Sequence, residues 1–230
     1  MPIFKNDKDF NLKNNKDRDR LYTKFSDEQK DLFHSIKENI FTFCEAEAGT
    51  GKTLVSVSAL LDMLANDEIK KIVYIQKVSQ RFLQNGFNPG TLEEKTAELW
   101  QPFYDAMLKL GYEPDTVDCM INNELITLTT DSTMRGINLE NVGICLDEAQ
   151  NCDVRTIKLI MTRCDDACHI VMIGDSKQKD NRGDNTGFIK YGNYLAEPGF
   201  GHKCFLTKNY RGRFSKHAEN FVWENNSNKI

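Results

Sequence analysis

Short apolar runs alternate along this chain with stretches whose apolar residues recur at helical spacing. Leu32, Phe33, Ile36 and Ile40 keep a helical period opened by Ser26, with Gln29 at the third helical position as in a capping box. Ile40 to Cys44 follows as a short apolar and aromatic strand, and Leu54 to Leu64 returns to helical spacing. Lys71 to Ile75 reads as the next strand, Gly86 to Gly90 as a turn, and Thr91-Leu92-Glu93-Glu94 as the cap of a helix running to about Leu110. On that helix Trp100, Phe103, Tyr104 and Met107 have the spacing of a core stripe, with stacking on bases as the alternative. Further strands are expected at Glu124 to Leu128, Val142 to Leu146, His169 to Ile173 and Cys204 to Leu206. Helices are expected after Asp153 and over Ser215 to Trp223. Asn181 to Gly192, rich in Gly, Asn and Asp, reads as a loop. Met1 to Arg20 has few apolar residues and mixed charge, which predicts a weakly ordered arm over 1–20. The main domain then spans 21–225, with a polar tail over 226–230.

The chemistry sits at the seams of this pattern. Between the first strand and its helix lies Ala46-Glu47-Ala48-Gly49-Thr50-Gly51-Lys52-Thr53, a phosphate-binding loop in which Ala46 stands where the strict pattern has Gly. Backbone amides from Ala48 to Thr53 would face the phosphates, Lys52 the β- and γ-phosphates, and Thr53 a magnesium ion. The run from Val142 ends in Asp147 and Glu148. Beside a phosphate loop, Asp147 suits Mg²⁺ and Glu148 suits orienting or deprotonating the attacking water. The run from His169 ends in Gly174-Asp175-Ser176-Lys177-Gln178, where Gln178 could sense the γ-phosphate or that water and Asp175 could support the metal shell. Gln29 has two readings, the capping box or an amide on the adenine edge. An arginine of Asn209-Tyr210-Arg211-Gly212-Arg213 has either an arginine-finger role or that of a surface basic pair. Cys164, Cys168 and His169 loosely suggest a metal site, but no second pair with firm spacing accompanies them.

At 230 residues, 40% hydrophobic and 28% charged, the chain suits one large globular domain. A net charge of −4 carries no global signal for nucleic acid, so any such binding needs a local patch. Seven cysteines, an odd number scattered through expected strands, fit a reducing compartment better than a disulfide framework. With no secretory or membrane-spanning apolar run, the expected location is the cytoplasm.

With these blocks in view, the sequence resembles the PhoH-like family of P-loop ATPases over roughly Phe25 to Glu224. The resemblance rests on Gly86 to Lys95, Pro102 to Ala106, Met134-Arg135-Gly136, Leu146 to Asn151, Met161-Thr162-Arg163 and Gly174 to Gln178. Gln76-Lys77-Val78, Ile137 and Asn209-Tyr210-Arg211 depart from the family pattern. The last of these resembles the Asn-Tyr-Arg motif of superfamily 1 helicases, where the arginine reaches the γ-phosphate. Ser26 to Gln29 resembles their adenine-reading glutamine motif. The resemblance implies a single RecA-like α/β core, a mostly parallel sheet flanked by helices, and ATP hydrolysis with Mg²⁺. It also implies a link to RNA or single-stranded nucleic acid, and assembly of copies into a homo-oligomer, often a hexameric ring. In that reading Lys52, Glu148, Gln178 and Arg211 carry catalysis. A small-molecule kinase and a nucleotide-gated binding module are the alternatives.

Overall fold

The computed structural model describes residues 12, 15–77, 92–134, 138–178, 187–212, 214 and 217. Six strands, β1 (Phe41–Ala46), β2 (Lys71–Gln76), β3 (Ile126–Thr130), β4 (Val142–Asp147), β5 (His169–Gly174) and β6 (Gly201–Leu206), form one sheet in the order β3-β2-β4-β5-β1-β6. All the pairings are parallel, with Phe43 opposite Met172 and Lys203, and Ile75 opposite Leu146 and Thr129. Helices α1 (Lys16–Tyr22) and α2 (Asp27–Glu38) precede β1, α3 (Lys52–Ala65) joins β1 to β2, α4 (Leu92–Lys109) and α5 (Pro114–Asn122) lie between β2 and β3, α6 (Val154–Met161) between β4 and β5, and α7 (Gly187–Leu195) between β5 and β6.

Strands buried on both faces need apolar residues at both parities, and the runs supply them. Cys44, Tyr74, Cys145, Val171 and Ile173 pack in one core with residues of α2, α3, α4 and α5. Phe41, Phe43, Val73, Ile75, Ile144, Leu146 and Met172 pack in a second core with Ile157 of α6 and Phe188 of α7. The sheet therefore has two apolar layers, the organisation of a RecA-like α/β core. Its strand order places β5 between β1, which feeds the glycine loop, and β4, which ends in Asp147. The C-terminal ends of β1, β5 and β4 are thus neighbours.

Several expectations change. Part of the segment expected as an arm is ordered. Leu12 is fully buried, Asn15 caps α1 and donates to the Leu110 carbonyl at 3.0 Å, and buried Arg18 reaches Asp62 at 3.6 Å. Within the expected loop Asn181 to Gly192, Gly187 opens α7 and Gly192 lies inside it. The α4 stripe is a core stripe: Phe103 and Met107 are buried, and Trp100 and Tyr104 pack partly buried against them. The turn Gly86 to Gly90, Arg135 and Gly136, and most of the helix expected over Ser215 to Trp223 lie outside the described residues. Cys164 and Cys168 meet each other and lie on the Ile160 and Leu139 carbonyls, while His169 Nδ1 turns away to the Ile36 and Asn39 carbonyls, so the imidazole does not join the two thiols. Among the described residues no helix is long and apolar enough to cross a membrane.

Candidate functional site

The loop after β1 is built around two glycines in the left-handed region, Gly49 at φ 80° and Gly51 at φ 86°. Gly51 is the N-cap of α3 and gives no side-chain cap, and no acidic residue sits in the first turn. A helix start built this way suits an external anion, in line with the positive end of the helix dipole. Lys52 and Thr53 are the first two residues of that helix, which sets both side chains at the mouth of the loop.

The loop is tied down from several sides. Thr50 Oγ1 donates to the Glu47 carbonyl at 2.9 Å, closing the turn on itself. Asp175, at the end of β5, accepts from the Ala48 amide at 3.1 Å, and Lys177 pairs with Glu47. From α2, Gln29 Nε2 donates to the Thr50 carbonyl at 3.0 Å while its Oε1 accepts from Ser26 N at 3.1 Å. The capping box expected at Ser26 is thus formed, and the same amide also braces the loop. From beyond β6, Tyr210 N donates to the Gly49 carbonyl at 2.8 Å. A Cβ at Gly49 would lie 2.7 Å from Arg211 Cγ and from Asn209 Oδ1, so the Arg211 side chain lies along the loop of its own chain.

The acidic strand end meets this loop. Thr53 Oγ1 donates to Asp147 Oδ2 at 2.9 Å, and Tyr74 donates its hydroxyl to the same oxygen at 2.7 Å. Asp147 is 2% exposed. Burial, and next the Asp147 charge, hold the Tyr74 phenol well above its usual range, so it stays a donor. Glu148 stands in the left-handed region at φ 52°, unusual for a residue with a side chain. Such strain persists where the surroundings fix it, and here the Glu148 amide donates to Asp147 Oδ1 at 2.8 Å. Gln150, buried, donates from Nε2 to Glu148 Oε2 at 2.6 Å and accepts the Asp175 amide on Oε1 at 3.1 Å. One chain of hydrogen bonds thus runs from Glu148 through Gln150 and Asp175 to Ala48. Burial raises the Glu148 carboxyl, and the Asp147 charge adds to that; the Gln150 bond and the Lys52 cation act against them.

Thr53, Asp147, Glu148, Lys52 and the Ala48–Gly51 loop are therefore brought together, with Gln29 and Arg211 against the loop. Gln178 ends a turn after β5 with its side chain exposed; Asp175, Ser176 and Lys177 are the residues there that bond to Ala48, Glu45 and Glu47. Asp175, expected near a metal shell, instead has Oδ2 on the Ala48 amide and Oδ1 on the Lys177 amide. It is a loop anchor. Tyr74 and Gln150 have no role in the sequence reading. A tyrosine inside a buried strand needs a partner for its hydroxyl, which was the available signal for the first. The adjacent Thr53 hydroxyl and Asp147 carboxylate are hard oxygen donors, a set that fits Mg²⁺. The uncapped, glycine-shaped helix start fits a polyphosphate.

A glycine loop at a helix start, met by a strand-end acid across one intervening strand, defines the class: a P-loop NTPase on a RecA-like core. The family model described as "PhoH-like protein" matches residues 23–208, and the chain belongs to that family. A "PhoH-like protein" of Bacillus subtilis (strain 168) is 32% identical over 153 residues, covering 66% of this chain and 47% of that protein. One from Synechocystis sp. is 29% identical over 152 residues, covering 66% and 46%. The chain thus spans about half the length of the curated relatives it matches. Among solved structures, the large terminase of a thermophilic bacteriophage, in complex with ADP, aligns with a TM-score of 0.48 at 13% identity, covering 80% of this chain and 45% of that one. The Hef helicase domain of Pyrococcus furiosus aligns at 0.45 and 17% identity, covering 83% and 39%.

Proposed function

We propose that this chain hydrolyses ATP with Mg²⁺ and couples the reaction to binding or remodelling of single-stranded nucleic acid, RNA above all. The observation that carries the ATPase reading is the meeting of Thr53 with Asp147 at 2.9 Å, directly below an uncapped glycine loop. In this reading Thr53 and Asp147 hold the metal, which when bound draws charge off the phosphoryl oxygens. Lys52 and Arg211 face the developing phosphoryl charge. Glu148 takes the proton of the attacking water, and Gln178 orients that water from the β5 end. Gln29 keeps a second Nε2 hydrogen for the adenine edge while its first holds Thr50.

The nucleic-acid part draws on a local patch rather than on net charge. Edge strand β6 and the residues after it alternate basic and exposed aromatic side chains. Lys203 Nζ stands 5.1 Å from the centre of the exposed Phe205 ring, and Lys208 Nζ 5.0 Å from that of the exposed Tyr210. Cations beside open rings suit phosphates and stacked bases together. This patch leads straight into Arg211, so a strand bound there would lie one residue from the nucleotide loop. Self-association of copies belongs to the same reading, and light scattering of the full chain tests it.

Phosphate release measured with and without single-stranded RNA or DNA tests the whole. Turnover that rises with one polymer and vanishes in Lys52→Ala and Glu148→Gln is the expected result. Hydrolysis undiminished in either variant refutes the catalytic reading, and indifference to both polymers refutes the coupling.

A further inference from the structure

Outside the nucleotide site, the described residues hold one cluster of metal-ligating side chains. Asp31, His202 and Cys204 each offer a ligand atom, and the three atoms lie within 4.8 Å of one another. Their origin is not local in sequence. His202 and Cys204 stand two apart on β6, so both side chains emerge on the same face of the sheet. That face is the one α2 packs on, and Asp31 comes from α2. Lys203 and Phe205, at the other parity, belong to the opposite face and to the aromatic patch described above.

We propose that Asp31, His202 and Cys204 form a binding site for a zinc-class divalent cation, with water in the fourth position. Thiol, imidazole and carboxylate are the side chains that zinc takes, and three protein ligands plus one open position is an established form of its tetrahedral site. The spacing agrees. His202 Nε2 and Asp31 Oδ2 are 3.7 Å apart, too long for a hydrogen bond but close to the tetrahedral edge of about 3.4 Å that metal–ligand bonds of about 2.1 Å require. The burial is graded: Cys204 is fully buried at the floor, while His202 and Asp31 are exposed at the rim, where solvent reaches them. The Cys204 thiol lies within hydrogen-bonding reach of Asp31 and of Ser35, so the buried sulfur and the rim carboxylate already meet in one cluster.

The place in the fold gives the site a consequence. Glu28, three residues before Asp31 on α2, accepts from Thr207 N at 2.8 Å and from Thr207 Oγ1 at 2.7 Å, just past β6. Gln29, beside it, holds the Thr50 carbonyl of the loop. A cation joining α2 to β6 therefore fixes the seam from which both Gln29 and the 207–211 segment reach the glycine loop.

The test uses the full chain, stripped of metal and without nucleotide or magnesium, titrated with cobalt(II) alone and then with zinc(II). A saturable thiolate-to-cobalt absorption band at one cobalt per chain, displaced by one zinc, is expected. Cys204→Ser and His202→Ala should remove the band, and Asp31→Asn should weaken cobalt binding at least as much as losing a supporting partner of a ligand does, about 10–100-fold. Cys119→Ser, a change to a half-buried thiol on α5, should leave it intact. His202 and Asp31 are exposed, so circular dichroism of those two variants should match the parent and separate lost ligation from lost folding. No thiolate band in the parent, or one that survives His202→Ala, overturns the proposal.

Discussion

Glu148 is a residue whose surroundings pull its proton in opposite directions. Burial and the neighbouring Asp147 charge raise its carboxyl above the ordinary glutamate range, and the 2.6 Å bond from Gln150 acts the other way. In the proposed hydrolysis Glu148 is the base and must be ionised to work, so the acid limb of kcat/KM should lie above the usual carboxylate range, activity falling as pH drops through it. Gln150→Leu removes the lowering bond while leaving burial in place, so its acid limb should move to still higher pH. A pH profile of phosphate release checks this, and an unmoved limb would detach Gln150 from the base. The stability term from this group has the opposite sense. A carboxyl that holds its proton more tightly folded than unfolded adds stability fully present below its unfolded pKa and lost as pH rises through the folded value. Asp147 and Glu148 were legible in the sequence because acids rarely end an apolar run without a use. Gln150 was not, since its role depends on Asp175 reaching it from another strand.

At the scale of elements, legibility followed how local the cause of each element is. The strand from Val142 to Asp147 and the helix begun by Asp153 declare themselves, the one by an unbroken apolar run and the other by a cap that accepts the Thr156 amide at 2.7 Å. Helix α7 does not, because its glycines look like turn residues. Their cause is close packing instead. A Cβ on Gly187 would lie 2.7 Å from Ile157 Cδ1, and one on Gly192 would lie 2.5 Å from the Phe43 ring. Helix α1 is hidden for a related reason: its seven residues are held by tertiary contacts of Leu12, Asn15 and Arg18 rather than by an apolar period of its own. Gly192→Ala has two opposed effects, a helix-propensity gain of about 1 kcal/mol and an overpacking cost of about 1–3 kcal/mol. The ring of Phe43 is buried between Gly192 and Phe188, with ring centres of Phe43 and Phe188 4.9 Å apart, so it has little room to yield. With so little room the cost falls at the upper end, about 2–3 kcal/mol, and a net loss of about 1–2 kcal/mol in urea unfolding is expected, with nucleotide binding unchanged.

At the scale of the whole molecule, the glycine loop is where three distant parts of the chain converge: α2 through Gln29, the end of β5 through Asp175, and the segment after β6 through Tyr210. Each bond reaches the loop backbone, so the loop's shape reports the seating of all three. The sequence names the loop but not its anchors, since no spacing rule says that Asp175 will face Ala48 rather than a metal. Gly49→Ala probes this convergence. At φ 80° an alanine is strained by about 1–2 kcal/mol, and its methyl would stand 2.7 Å from both Arg211 Cγ and Asn209 Oδ1. The flexible arginine can swing away, but Asn209 is buried and accepts the Arg211 amide at 2.8 Å, so the 209–211 segment must move as a piece. Moving it breaks the Tyr210 bond to the Gly49 carbonyl and withdraws Arg211 from the loop together. Nucleotide affinity should then fall by about tenfold for each 1.4 kcal/mol of strain and lost contact, and turnover should fall further because in the proposed reaction Arg211 acts on charge that develops only during transfer. Fluorescent-nucleotide binding and phosphate release, measured side by side with Arg211→Ala, separate the two losses. Arg211→Ala should lose turnover with binding largely kept. If Gly49→Ala binds nucleotide as tightly as the parent, the 209–211 segment is not seated on the loop in solution, and Arg211 has no claim to act within its own chain.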